Sequence, residues 1–242
     1  PEGLPATLTL SLAMAVQRLA GRGVLAKRLS IVETLGNVSI ICTDKSGTLT
    51  QNQMTVREIW VANDRLQVTG VGYEPKGDIL SRSGIGFVSP DLTALLTAVS
   101  CCNNARLIAP SSDHPYWTSL GDQTEAALKV AALKAGISES SIVEDYERVH
   151  EIPFDAHRKR MTTIHRTRRG NELAFTKGAP REIMQLCTHI LVNGVKEALT
   201  ETQVNAILKT NDEYARRALR VLAVSQRDLE DRLPYSAESV ER

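Results

Sequence analysis

Ser39-Ile40-Ile41-Cys42-Thr43-Asp44-Lys45-Ser46-Gly47-Thr48-Leu49-Thr50 is a short apolar run that ends in a carboxylate, a lysine, a glycine and hydroxyls. That pattern predicts a buried parallel strand emptying into a polar loop. In open α/β sheets chemistry collects at the carboxyl ends of such strands. The residue types suit phosphoryl transfer: Asp44 as a nucleophile, Lys45 to offset anionic charge, and glycine with hydroxyls so that N–H and O–H groups can approach phosphate oxygens. Residue types alone leave a plainer alternative open, because an Asp after a strand commonly caps a helix or forms a turn.

On the N-terminal side, Thr7 to Ala20 places Leu8, Leu12, Ala15, Val16 and Leu19 at three- and four-residue steps and predicts a helix, followed by the basic stretch Arg22 to Arg28. Pro1 to Ala20 makes neither a complete membrane span nor a signal peptide with a basic start. The chain does not open with Met, and we read its first residue as lying inside a longer protein.

On the C-terminal side the texture becomes alternating. Val56 to Val61 and Leu66 to Thr69 predict antiparallel strands, with Gly- and Pro-rich turns from Val71 to Pro90. Helices are expected over Leu92 to Cys102 and over Thr124 to Ala135, the second with Asp122 as N-cap. Strands follow at Arg148 to Pro153, Met161 to Arg166 and Glu172 to Thr176. Helices at Pro180 to Cys187 and Glu201 to Leu219 lead to a last strand, Arg220 to Ser225. There is no internal repeat or low-complexity tract.

The 242 residues carry 29 Lys plus Arg against 28 Asp plus Glu, so no global field favours nucleic acid or an anionic surface. The four cysteines form no CxxC pair and the histidines add no zinc-ligand spacing, which reads as reduced, mostly packed thiols in a cytosolic setting. Neither a Walker A string nor GxGxxG occurs, so any nucleotide site is of another kind.

Asp44-Lys45-Ser46-Gly47-Thr48-Leu49-Thr50 resembles the phosphorylation signature of P-type ATPases, usually DKTGTLT, with Ser46 in place of threonine. Four more strings resemble the same family in the same order: Pro1-Glu2-Gly3-Leu4-Pro5, Val32-Glu33-Thr34-Leu35-Gly36, Gly121-Asp122-Gln123-Thr124-Glu125 and Lys177-Gly178-Ala179-Pro180. Gln123 replaces a proline and Arg181 an acid. The resemblance implies that Asp44 takes phosphate from ATP, with Lys45 and Thr48 beside it. It also implies that Asp44 and the Ser46 carbonyl bind Mg2+, and that Glu2 helps hold the transported cation. For the nucleotide it implies Glu125, Phe154, Lys159, Met161, Lys177, Gly178 and Arg220, with Phe154 stacked on adenine and Lys177 an exposed lysine at the pocket wall.

Each assignment has a structural alternative. Phe154 could be core, and His157-Arg158-Lys159-Arg160 a solvated face or a nucleic-acid patch. The family's arginine two residues after the phenylalanine is here Ala156, and Arg158 could take its place. Arg166, Arg168 and Arg169 read as a solvated face around a hairpin turn at Gly170.

The implied architecture is α/β: a partial phosphorylation domain of the haloacid-dehalogenase type with an inserted antiparallel sheet flanked by helices. Residues 1–20 would be the cytoplasmic end of a membrane helix and 21–50 the start of the phosphorylation domain. Residues 51–227 would form the nucleotide-binding domain, and 228–242 return toward the phosphorylation domain. The implied protein is an ATP-driven cation pump, calcium favoured by the PEGLP form, held in a membrane by helices outside this chain. The fragment would lie on the cytoplasmic side, bind ATP and Mg2+ and have no nucleic-acid partner. Readings from other classes are a dehalogenase-superfamily phosphohydrolase, a non-catalytic ATP-binding module and a structural interaction domain.

Overall fold

The computed structural model describes residues 3–82, 84, 86–87, 89–230 and 233–241. It separates into two compact units, Pro1–Gln51 and Asn52–Arg242.

In the first unit, α1 (Leu4–Ala20) opens with Pro5 in its first turn and lies against α2 (Ser30–Gly36). The α2 helix was missed in the sequence because its seven residues are too few to display a periodic face. The strand expected over Ser39 to Thr43 is not formed, and Ile40 and Ile41 are 78% and 84% exposed. A buried parallel strand exists only when neighbours satisfy its backbone on both sides, and among the described residues none pairs with this one.

The second unit is built on a four-stranded antiparallel sheet in the order β11-β8-β7-β6. Its strands are β6 (Tyr146–Asp155), β7 (Arg160–Thr167), β8 (Glu172–Gly178) and β11 (Ala223–Asp228). The β7 to β8 turn uses Gly170 at φ 86, as the run of residues there predicts. Period-two alternation gives the sheet two covered faces. On one, Met161, Leu173 and Phe175 pack with Ala98, Cys101 and Cys102 of α3 (Pro90–Cys101) and the residue that follows it. On the other, Ile152, Ile164 and Ala174 pack with Val240 and with Leu229, Leu233 and Tyr235. The segment 233–241, including the short helix α8 (Ala237–Val240), therefore packs within the second unit.

A third cluster joins α3 and α4 (Gln123–Lys134) to β1 (Glu58–Val61), β2 (Asp64–Val68) and β3 (Ile79–Leu80) through Ile59, Leu66, Ile79, Leu92, Leu96 and Ala131. Short pieces went unread in the sequence: β3, the β4 (Arg106–Ile108) and β5 (Thr118–Leu120) pair, α5 (Glu139–Asp145) and the β9 (His189–Val192) and β10 (Val195–Ala198) hairpin. The helix expected over Pro180 to Cys187 is shorter, α6 (Pro180–Met184). Between β10 and β11, α7 (Glu201–Arg216) ends three residues before the expected Leu219, where Ala218 turns left-handed at φ 58, and β11 begins later than Arg220.

Candidate functional site

The register of the four-stranded sheet gathers most of the residues expected at a nucleotide site at one end. Asp155 pairs with Arg160, Arg160 with Gly178, and Met161 with Lys177. Gly178 pairs in turn with Ala223, three residues after Arg220. The β6 ladder breaks between Ile152 and Asp155. Such an irregularity re-aims side chains, and Phe154, inside it, is 63% exposed. The core alternative for Phe154 is therefore wrong.

Lys159 closes the β6 to β7 turn in a left-handed conformation, φ 52. Its N–H donates to the Asp155 carbonyl (2.7 Å), and its own carbonyl accepts from Ala179 N–H (3.0 Å). That close approach requires Gly178: an added Cβ would lie 2.4 Å from the Lys159 oxygen. The Lys159 ammonium is exposed and 3.2 Å from Glu182.

Lys177 is only 6% exposed, which corrects the expectation of an exposed lysine. It alternates with Phe175 and Leu173, and so points into the face covered by α3. Its ammonium donates to Glu125 Oε1 and to the Cys102 carbonyl, both at 2.5 Å. Glu125 Oε2 accepts from Asn104 N–H (2.9 Å), and the Glu125 carbonyl accepts from the Asn103 side chain (2.9 Å). Asp122 caps α4, its Oδ1 accepting from Thr124 N–H (2.8 Å) and Glu125 N–H (3.1 Å), so the cap sets where the glutamate begins. Arg220 is exposed, and its Nη1 donates to Thr124 Oγ1 (3.2 Å). Burial raises the Cys102 thiol pKa, with Lys177 opposing it, so this thiol is a packing group.

The arrangement is a buried ion pair flanked by an exposed ring and exposed cations, an apolar and cationic rim on a satisfied polar floor. Nothing in the sequence singled out Asn103, Asn104 or the Cys102 carbonyl, because their role depends on contacts that only the fold brings together. Arg158 does not stand free beside the ring. It and Arg160 pair with buried Glu241, whereas His157 and Lys159 of the same run are exposed. Arg166 and Arg168 are exposed and meet Glu172 and Glu144.

In the first unit, Asp44 is exposed and its Oδ1 accepts from Lys45 N–H (2.7 Å). A single irregular turn over Lys45–Leu49 follows, with Ser46 extended and Gly47 left-handed at φ 78. Lys45, Ser46 and Thr48 are exposed. Glu2 lies outside the described residues. Among the described residues no three His, Cys, Asp or Glu side chains cluster as a metal site, and no helix is long and apolar enough to cross a membrane.

Residues 91–242 match the family model described as P-type ATPase, cytoplasmic domain N. Over all of this chain, a calcium-transporting ATPase of Bacillus subtilis is 37% identical, the match covering 27% of that protein. A calcium-transporting ATPase type 2C member 1 of Bos taurus is 36% identical over 93% of this chain and 23% of its own length. A probable cation-transporting ATPase F of Mycobacterium bovis is 36% identical over 92% and 24%. The chain thus spans about a quarter of the length of the curated relatives it matches. With the ordered strings of the sequence and a mixed α/β unit of antiparallel sheets, these matches place the chain in the P-type cation-transporting ATPase family, with the cytoplasmic N domain over residues 91–242.

Proposed function

We propose that this chain is the ATP-binding and phosphorylation-site part of an ATP-driven cation pump that works through an aspartyl phosphate. The observation that carries the nucleotide half is the buried Lys177–Glu125 pair beside an exposed Phe154 and Lys159 at one end of the sheet. A buried ion pair is weak support for stability, since desolvation offsets most of its attraction. An exposed phenylalanine is likewise of little use to a fold. Together they suit a base-binding slot: Phe154 stacks on adenine, and Met161 backs the slot from the core. Glu125, whose carboxylate has acceptor capacity beyond its present partners, takes the exocyclic amine. Arg220 and Lys159 face the phosphates.

Asp44 is the nucleophile. A carboxylate oxygen forms a bond to the γ-phosphorus as the bond to the bridging oxygen breaks, and ADP leaves with that electron pair. Lys45 and the Thr48 hydroxyl offset charge on the transferring group. Mg2+ takes oxygen ligands and keeps several waters, and the Asp44 carboxylate and Ser46 carbonyl are donors of that kind. When bound it would neutralise phosphate charge. Two residues after Asp44, where a phosphohydrolase of the dehalogenase superfamily has a general acid, stands Ser46, which cannot activate water. The acyl phosphate therefore persists, as a pump requires. The phosphorylation domain is of the dehalogenase type, and calcium is the cargo favoured by the relatives' names and by the PEGLP string.

The unpaired segment 39–43 favours a second description of the chain by itself, a module that binds ATP without sustained turnover. Titration of the folded chain should give an ATP Kd near the millimolar range, about 4 kcal/mol. Phe154→Ala should weaken it by about ten- to a hundredfold, the value of a lost base stack. In membranes holding the whole protein, ATP should leave a hydroxylamine-sensitive label that Asp44→Asn abolishes. A folded chain with no affinity for ATP sinks the nucleotide half, and a label that survives Asp44→Asn sinks the other.

A further inference from the structure

Glu241 lies 87 positions after Phe154 and on the opposite face of the sheet from Lys177, yet its contacts end on both sides of the Phe154–Lys159 turn. Its side chain is wholly shielded from solvent. Both carboxylate oxygens accept from Arg158 Nη1, at 2.5 and 2.6 Å. Arg160 Nε donates at 2.7 Å and Thr162 Oγ1 at 2.7 Å. Arg158 then passes the restraint on, its Nη2 donating to the Pro153 carbonyl at 2.7 Å. One carboxylate thus ties down the residue before Phe154 and the residues on each side of Lys159.

The turn needs such a restraint. A lysine at φ 52 occupies a sparsely populated region and stays there only where its surroundings over-determine it. Phe154, being mostly exposed, has little packing of its own to hold it. Burying a carboxylate is costly unless donors surround it, and here two guanidinium groups and a hydroxyl do so. Burial alone would raise the Glu241 pKa. The bonds from Arg158, Thr162 and Arg160 outweigh it, and the carboxyl stays below its ordinary range and charged near neutral pH. A clamp of this kind adds less to net stability than to a single defined geometry.

We infer that Glu241 is a positioning residue for nucleotide binding, a clamp that acts through Arg158 and Arg160 from the far face of the sheet to hold Phe154 and Lys159 ready for the base and phosphates. The inference rests on the proposed ATP site. Pre-ordering two rotamer-rich side chains lowers the entropic cost of binding, so releasing them should weaken ATP about tenfold.

ATP titrations of the full chain, run well below each variant's melting temperature, test this. Glu241→Gln should weaken ATP about tenfold, and Glu241→Asp should restore part of the loss. In a Phe154→Ala background, Glu241→Gln should cost clearly less than it does in the wild type, because only the Lys159 contact is left for it to prepare. Arg158→Met leaves Glu241 paired with Arg160, so it should fold where Glu241→Gln does not, and it should weaken ATP in the same direction. Wild-type binding with unchanged affinity in folded Glu241→Gln or Arg158→Met overturns the clamp and leaves the ATP site standing. Equal losses with and without Phe154 also overturn it, since they would reflect general loosening. Failure of the wild-type chain to bind ATP removes both readings.

Discussion

Among the described residues, the unit Pro1–Gln51 buries no side chain, whereas Asn52–Arg242 holds every residue of the apolar clusters. Leu4, Leu8, Leu10, Ile40, Ile41 and Leu49 are all exposed in the first. In the second, β8 alone buries six consecutive residues, Leu173 to Gly178, because strands lie on both its edges and covering elements on both its faces. Motif and fold are thus separable: the string that announces the chemistry most clearly lies where least structure holds it.

Hydrogen exchange should register the largest difference. Amides of β7 and β8 open only with global unfolding, which for a domain stable by about 5 kcal/mol or more means protection of at least about 10³ to 10⁴. Amides of 39–50, with almost no sheet or helix bonds, should exchange near the unprotected rate. Comparable protection in the two would show that 39–43 pairs after all.

The cysteines sharpen the same contrast. Cys42 is exposed, whereas burial, with help from Cys102, pushes the Cys101 thiol up to about 12. At pH 8 only about one Cys101 in ten thousand is then a thiolate, the reactive form. Burial also raises Cys102 and Cys187. Iodoacetamide should therefore label the native chain first at Cys42, and all four cysteines only after denaturation. Early label on Cys101 or Cys102 would mean that α3 does not cover the sheet.

These differences explain what the sequence made legible. The second unit's long elements were readable because their burial is local: alternation in Met161 to Arg166 and Glu172 to Thr176, and a capped helix after Asp122, each carry their own signal. Short pairs such as His189–Val192 with Val195–Ala198 carry too few residues for any period to emerge. The expected strand at 39–43 failed for the opposite reason. Its signal was local, but its formation depends on neighbours that the described residues do not supply. At the site, residue types and strings picked out Phe154 and Lys177 but not their burial. Whether a lysine points in or out depends on the register of its strand, and Lys177 shares a face with Phe175. Glu241 was unreadable because its partners lie about eighty positions away and meet it only through the fold.

Two lysines turn that lesson into a stability test. Lys177→Ala leaves Glu125 as a buried, uncompensated carboxylate, and removal of one partner of a buried pair typically costs about 3 to 5 kcal/mol. Lys45→Ala, at an exposed position in the first unit, should leave the melting temperature unchanged. Because Lys177→Ala would then lose ATP affinity through the fold as well as through the site, Lys177→Met with Glu125→Gln is the informative partner. It removes both charges, and most of the stability should return. If Lys177→Ala melts with wild type, the lysine is solvated and the buried floor of the site is wrong.

Helix caps give the smallest effect and the finest discrimination. Neither α1 nor α2 has a side-chain cap, whereas in the second unit only α6, which follows Ala179, lacks one, and α3, α4, α5, α7 and α8 begin with a serine, aspartate or threonine accepting from their first turn. Asp122 is the informative one, since its Oδ1 takes the N–H groups of Thr124 and Glu125 and so joins helix stability to the placement of a proposed base contact. Asp122→Ala should cost about 1 kcal/mol, the usual value of a lost cap. Asp122→Asn keeps an acceptor oxygen and should cost only a few tenths of that. If the cap matters only to the helix, ATP affinity should be unchanged in both variants at temperatures where each is folded. If it also sets Glu125, Asp122→Ala should weaken ATP by a few-fold and Asp122→Asn by little, following the stability order. Thermal melting and ATP titration on the two proteins separate these outcomes. A loss in Asp122→Asn as large as in Asp122→Ala would assign the effect to the negative charge at the start of α4 rather than to the hydrogen bonds.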